Sequence, residues 1–166
     1  LKSAIEERPS FVFLGGVHGV GKTTVCNNTF VSLGYHCVTA STLIAKQGLT
    51  FDKKQANSIT GNQKILIEQL ELEKQNNNFL LLDGHYCLIN THNEIEPVNV
   101  KIFELMNPLL LLLIKGHPEK IAERLRKRDK KEWEASFINL FQEVETEHAT
   151  RVSKELSIPL KIYVSD

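Results

Sequence analysis

Gly16-Val17-His18-Gly19-Val20-Gly21-Lys22-Thr23 is the stretch that decides the fold. It follows the apolar run Phe11–Leu14 and leads into a segment with Val25, Phe30 and Leu33 at helical spacing. The spacing is G-x-x-x-x-G-K-[ST] between a strand and a helix. Glycines let the backbone curl so that several N–H groups point inward as an anion nest. The helix that starts near Lys22 aims its positive end at the same point. Lys22 adds a full charge, and the Thr23 hydroxyl can hold a divalent cation. These residues imply a loop for the phosphates of a nucleoside triphosphate: ATP with Mg²⁺. Gly16, His18, Gly19, Val20, Gly21, Lys22, Thr23 and Thr24 are the expected nucleotide contacts. His18 reads as a tolerated loop residue.

Outward from the loop, the chain alternates strands and helices. Tyr35–Thr39 is a second strand, and Ser41 or Thr42 caps a short helix through Lys46. Asn62–Gln75 is amphipathic. Phe79–Asp83 (FLLLD) and Leu109–Ile114 are continuous apolar strands, and Gly84 to Asn99 is irregular. Short helices follow at Val100–Met106 and Pro118–Lys127. A longer one runs over Trp133–Leu156, and Leu160–Val164 is the last strand. Continuous apolar strands alternating with helices indicate a parallel sheet covered on both faces. The expected fold is therefore α/β, three-layered, with one domain over residues 1–166.

Composition limits the function. Of 166 residues, 42% are hydrophobic and 24% charged, with 20 Lys+Arg against 20 Asp+Glu. A neutral chain offers no general attraction to nucleic acid or an acidic membrane, so phosphate affinity must come from local clusters. The longest apolar run is too short to span a bilayer. No signal peptide is visible. Cys26, Cys37 and Cys87 are widely spaced without a CxxC pair, which argues against a structural zinc site and fits a reducing, cytoplasmic setting.

Two further clusters suggest chemistry. Asp83 closes the FLLLD strand, and ligands of open α/β sheets collect beyond the carboxyl ends of strands. Asp83 is therefore expected to face the phosphate loop and to hold Mg²⁺ with Thr23. His85 either positions a reactant or bonds within its loop. Lys115–Lys131 carries eight basic against three acidic residues. Arg124 and Arg128 flank the Ile121/Leu125 stripe of that helix, where guanidinium groups can reach a cleft and meet a transferring phosphoryl group.

GVHGVGKTT, Asp83-Gly84-His85, ERLRKRD at Glu123–Asp129 and ETEHATR at Glu145–Arg151, in this order from Phe11 to Val164, resemble small P-loop nucleoside monophosphate kinases. The resemblance is strongest to archaeal-type adenylate kinases and adenylate-kinase-like ATPases. It implies a five-stranded parallel sheet, a short lid at about residues 124–133 and an acceptor region at about residues 41–61. Lys22, Asp83, Arg124 and Arg128 become the catalytic set, Arg124 also touches nucleotide, and Arg151 reaches the site. The implied acceptor is a small molecule, a nucleotide. One departure stands out: no arginine lies between Arg8 and Arg124, and only Lys53 and Lys54 stand near the acceptor phosphate. The alternative is an ATPase or nucleotide-sensing switch acting on a protein partner.

Overall fold

The computed structural model describes residues 11–46, 59–130 and 132–165. β1 (Phe11–Gly15) is buried along its whole length. It lies between β3 (Leu80–Asp83) and β6 (Leu110–Gly116), with β2 (His36–Thr39) and β7 (Leu160–Ser165) at the edges. All pairings in this sheet of five are parallel, as the continuous apolar runs require. The register sets Leu14 beside Asp83 and Gly15 beside Leu113. The acid closing β3 therefore ends level with the point where β1 turns into the loop.

Helices cover the sheet. α1 (Lys22–Val25) passes at once into a π-helical turn, Cys26–Phe30, rather than continuing to Leu33. α2 (Ala40–Ala45) is capped by Thr39, whose hydroxyl accepts from Thr42 N, not by Ser41 or Thr42. α3 (Ile59–Asn76) starts earlier than the amphipathic pattern indicates. α4 (Val100–Met106), α5 (Pro118–Asp129) and α6 (Ala135–Leu156) complete the shell. β6 runs two residues further than expected because Lys115 and Gly116 pair with Val164 and Ser165.

The stretch from Gly84 to Asn99 is not wholly irregular. β4 (Cys87–Ile89) and β5 (Ile95–Pro97) pair antiparallel. Asn90 makes the turn by accepting from His92 N and Glu94 N, and Asn93 takes φ 60°. Tyr86, just before this hairpin, is wholly buried. Its hydroxyl donates to Leu112 O at 2.9 Å, and its ring meets Phe13 edge-on at 5.0 Å. A Cβ on Gly15 would stand 2.2 Å from that ring. Gly15 therefore lets an aromatic side chain lie against the sheet immediately before the phosphate loop.

Candidate functional site

The loop between β1 and α1 closes around its own lysine. Lys22 Nζ donates to Gly16 O at 2.6 Å and Val17 O at 3.3 Å, and stands 3.8 Å from Asp83 Oδ1. Gly21 caps α1 with φ 110°, a left-handed conformation in which a side chain would be strained. Burial pushes the Lys22 ammonium below its usual range, against the pull of Asp83. Burial likewise raises the Asp83 carboxyl, against the pull of Lys22. Desolvation thus outweighs attraction on both sides of the pair.

Lys22, Thr23, Thr24, Asp83, His85, Arg124 and Arg128 all border one cavity of about 1190 Å³. His18, Gly19 and Gly21 border it too, whereas Gly16 and Val20, also expected as nucleotide contacts, do not. Thr23 and Asp83 offer a hydroxyl and a carboxylate, hard oxygen donors of the kind Mg²⁺ takes in company with nucleotide phosphates. No group of three His, Cys, Asp or Glu that could cage a metal occurs among the described residues. A cation here would thus depend on the nucleotide for further ligands.

α5 is anchored to the loop it overhangs. Arg124 Nη1 donates to Gly19 O and Val20 O, each at 3.3 Å. A Cβ on Gly19 would stand 2.8 Å from Leu125 Cγ. Arg128, one turn further, is exposed on the cavity rim and paired with Asp129 at 2.6 Å. Arg151 does not border this cavity. It pairs with Glu155 at 2.6 Å and lines a smaller recess of about 570 Å³ beside β5. Within the expected acceptor region, Ser41 and Ile44 line the main cavity. Lys53 and Lys54 lie outside the described residues.

The His18 and His85 rings touch at 4.2 Å between centroids, tilted by 41°, where the phosphate loop meets the segment after Asp83. Crowding by protein, then Lys22 and Arg128, pushes His18 down to about 4. Burial, then Lys22 and His18, holds His85 well below the usual histidine range. Both imidazoles are therefore neutral near pH 7.

Glu145 was named in the sequence only as part of the ETEHATR run. It proves to be fully buried on α6. Its Oε1 accepts from Tyr86 N at 3.2 Å and Cys87 N at 3.4 Å and lies 3.9 Å from His85 Nδ1. Glu145 thus clamps the backbone two and three residues after His85's neighbour Gly84. Nearby, Gln142 exchanges two hydrogen bonds with Gly116 at the end of β6, 2.8 and 2.9 Å long. The available signal was register: Gln142 and Glu145 fall on the same helical stripe as Ile138, Phe141, Ala149 and Val152.

Burial pushes Glu145 from its ordinary 4.5 to about 7, against Lys22 and the two amide donors. The folded state therefore holds this proton more tightly than the unfolded chain. Its contribution is complete below about pH 4.5 and is lost as pH rises through about 7, a span worth about 3 kcal/mol. Glu145→Gln keeps an oxygen for the two amides and has no proton to lose. The variant should gain stability relative to the native chain between about pH 5 and pH 8, read from urea midpoints. The lowered histidines act in the opposite direction but are common to both proteins. An equal difference at both pH values would contradict this.

A parallel sheet in the order β2-β3-β1-β6-β7, with its phosphate loop after β1 and a basic helix after β6, defines a P-loop kinase-like fold. ATP and Mg²⁺ are the cofactors of this class. A family model described as an AAA domain matches residues 15–136, and the chain belongs to that family. Among solved structures it is similar to a shikimate kinase from Bacteroides thetaiotaomicron, with TM-score 0.60 and 16% identity over 91% of this chain and 85% of that one. A shikimate kinase from Acinetobacter baumannii in complex with shikimate gives 0.59 and 17%, over 98% and 86%. A gluconokinase from Sinorhizobium meliloti 1021 gives 0.56 and 13%, over 96% and 85%. These likenesses establish the fold and do not single out archaeal-type adenylate kinases. No curated protein sequence matches the chain. No helix among the described residues is long and apolar enough to cross a membrane.

Proposed function

We propose that the chain is a Mg-ATP-dependent small-molecule kinase, a single P-loop domain with a lid at about residues 124–133 and an acceptor region at about residues 41–61. The observation that carries this reading is the extent of the cavity. Its lining combines the phosphate loop, Asp83 and the α5 arginines with residues of α2, α3, the β4–β5 hairpin and α4. A volume of about 1190 Å³ exceeds the roughly 300–1000 Å³ of a typical single-ligand pocket. It leaves room for a donor and an acceptor together.

In this reading Gly16 through Thr24 cradle the triphosphate, and Lys22 meets the β- and γ-phosphates. Thr23 and Asp83 hold Mg²⁺, which supplies charge neutralisation on the transferring group. Arg124, already bonded to the loop, supports the nucleotide. Catalysis is positioning and charge stabilisation without a covalent intermediate. A nucleotide kinase, as the resemblance implies, is the finer form of the reading, with the nucleoside part of the acceptor held against apolar residues of the lining.

Arg128 is assigned to the transition state. Its pairing with the exposed Asp129 is a surface contact that a phosphoryl group can outcompete. Arg128→Lys should lower turnover about tenfold and Arg128→Ala about 100-fold, with ATP affinity nearly intact, because lysine keeps charge without the planar fork. Wild-type turnover in both would reduce α5 to a solvated helix.

The function is tested by measuring ADP formation from Mg-ATP with and without nucleoside monophosphates, nucleosides and small hydroxy acids. Acceptor-dependent ADP formation with a phosphorylated product is the expected result. Turnover that ignores every acceptor would select the ATPase alternative.

A further inference from the structure

Glu145 occupies a place in the core where a carboxyl costs more than an apolar side chain of its size. It sits on the buried face of α6 among Ile138, Phe141, Ala149 and Val152, and none of its surface reaches solvent. It does not border the cavity. Part of its use is structural, because Oε1 accepts from Tyr86 N and Cys87 N. That leaves Oε2, which is buried and makes no hydrogen bond among the described residues. His85 Nδ1 is buried and unsatisfied as well, and it faces the carboxyl at 3.9 Å. Two orphaned polar atoms from different elements thus stand side by side behind the site.

The His85 ring also leads to the phosphate loop. It is hydrogen-bonded to the Gly16 backbone, a bond that opposes the lowering of its pKa and so marks the carbonyl as acceptor and the ring as donor. Gly16 O accepts from Lys22 Nζ too, at 2.6 Å. A neutral imidazole that donates through one nitrogen has a bare acceptor at the other. With Nδ1 the unsatisfied atom, the ring needs a donor there, and a carboxyl that keeps its proton is one. Burial pushes Glu145 up to about 7, so near neutrality a large share of the molecules carry that proton.

We propose that Glu145 is a positioning residue for the phosphate loop: its protonated carboxyl steadies the His85 ring, which steadies the Gly16 carbonyl that aims Lys22. The proposal rests on the nucleotide-binding part of the reading above and deepens it. A turn of the carboxyl brings the free Oε2, bearing the proton, to Nδ1, while Oε1 stays with the two amides. When the proton leaves, a carboxylate faces a bare ring nitrogen and the support is lost. Its negative charge, which Lys22 feels, then also opposes an incoming polyphosphate. Among the described residues, the titratable groups that feel or face this carboxyl are Lys22 from the loop and His85, Tyr86 and Cys87 from the segment after β3. Burial keeps the Tyr86 hydroxyl and the Cys87 thiol protonated well above neutrality, the thiol up to about 12. It keeps His85 unprotonated. Lys22 is common to native and variant chains, so substitution at position 145 isolates the carboxyl.

The test follows binding of Mg²⁺ with the β,γ-imido analogue of ATP, by calorimetry from pH 6 to pH 8. The native chain and Glu145→Gln are compared. Glutamine keeps an oxygen for the two amides and offers Nδ1 a permanent N–H donor. The two chains should bind within about twofold of each other at pH 6, where both supply the donor. The bound polyphosphate should raise the Glu145 pKa further, by about one. The native chain should therefore fall about fivefold behind the variant by pH 8 and take up about half a proton more on binding near pH 7.5. Proton uptake is read by repeating the titration in buffers of different ionisation enthalpy. A His85→Gln background keeps an N–H for Gly16 O and offers Glu145 no ring nitrogen. There the substitution at position 145 should change affinity less than about twofold at every pH. Affinities of native and Glu145→Gln that run parallel from pH 6 to pH 8 would overturn the proposal and leave Glu145 as an acceptor for two amides. An undiminished effect in the His85→Gln background would overturn it too, by showing that the carboxyl acts on the ligand's charge directly. Failure of the native chain to bind the analogue at any pH would instead overturn the nucleotide-binding reading.

Discussion

Lys22→Ala should lower turnover of Mg-ATP by about 100- to 1000-fold, the scale seen when one preorganised charge stabiliser is removed from a transfer site. The side chain is buried, bonded to Gly16 O and Val17 O, and 3.8 Å from Asp83. It is thus held where the loop amides converge. A neighbouring residue cannot take over, because Arg124 is occupied by the carbonyls of Gly19 and Val20 and Arg128 stands at the rim. Binding of ATP should weaken both with and without Mg²⁺, because the lost interaction is with phosphate rather than metal. Thr23→Ala should weaken it chiefly when Mg²⁺ is present. Calorimetry under the two conditions separates these outcomes. Undiminished binding and turnover in Lys22→Ala would remove the assignment of the loop.

Asp83→Asn should behave differently: turnover about 100-fold lower, ATP binding within a few-fold of native, and stability held or improved. The carboxylate is mostly buried, and its pKa is raised because desolvation exceeds the help from Lys22. The folded protein therefore bears a cost for keeping this charge, and the amide relieves it while retaining the shape. Loss of activity together with unchanged or higher melting temperature is the pattern of a group kept for function at the expense of stability. A Mg²⁺ titration of turnover supplies the check. Activity equal to native across the titration would make Asp83 a structural acid.

Much of this arrangement is legible in the residues. Phe11–Leu14, FLLLD and Leu109–Ile114 announce buried parallel strands because both faces are apolar. The loop pattern then fixes which strand ends matter, so Lys22, Thr23 and Asp83 fall to one site on the sequence pattern alone. The β4–β5 hairpin was obscured because three-residue strands are too short for alternation to register. Its turn rests on Asn90 and Asn93 rather than on glycine or proline. The early end of α1 was hidden because a π turn keeps apolar residues near helical spacing. Glu145 and Gln142 carry no local mark that separates them from the other polar residues of α6. Their burial comes from tertiary packing against β6 and the segment after Asp83, which no local pattern reports.

β1 stands in the middle of the sheet, between β3 and β6, although it is the first of these strands to be made. At a synthesis rate of about 5–20 residues per second, roughly 70 residues separate it from its first neighbour, a wait of several seconds. For that interval the emerging polypeptide displays Phe11–Gly15 with no strand to pair with, a short apolar segment of the kind that invites aggregation or a holding chaperone. Assembly must join partners far apart in the chain, which makes it slower than for a helical bundle of equal size. Competence to hold a nucleotide is therefore a late acquisition during biogenesis, because the loop that grips phosphate gains a firm base only once β3 and β6 have closed on either side of β1.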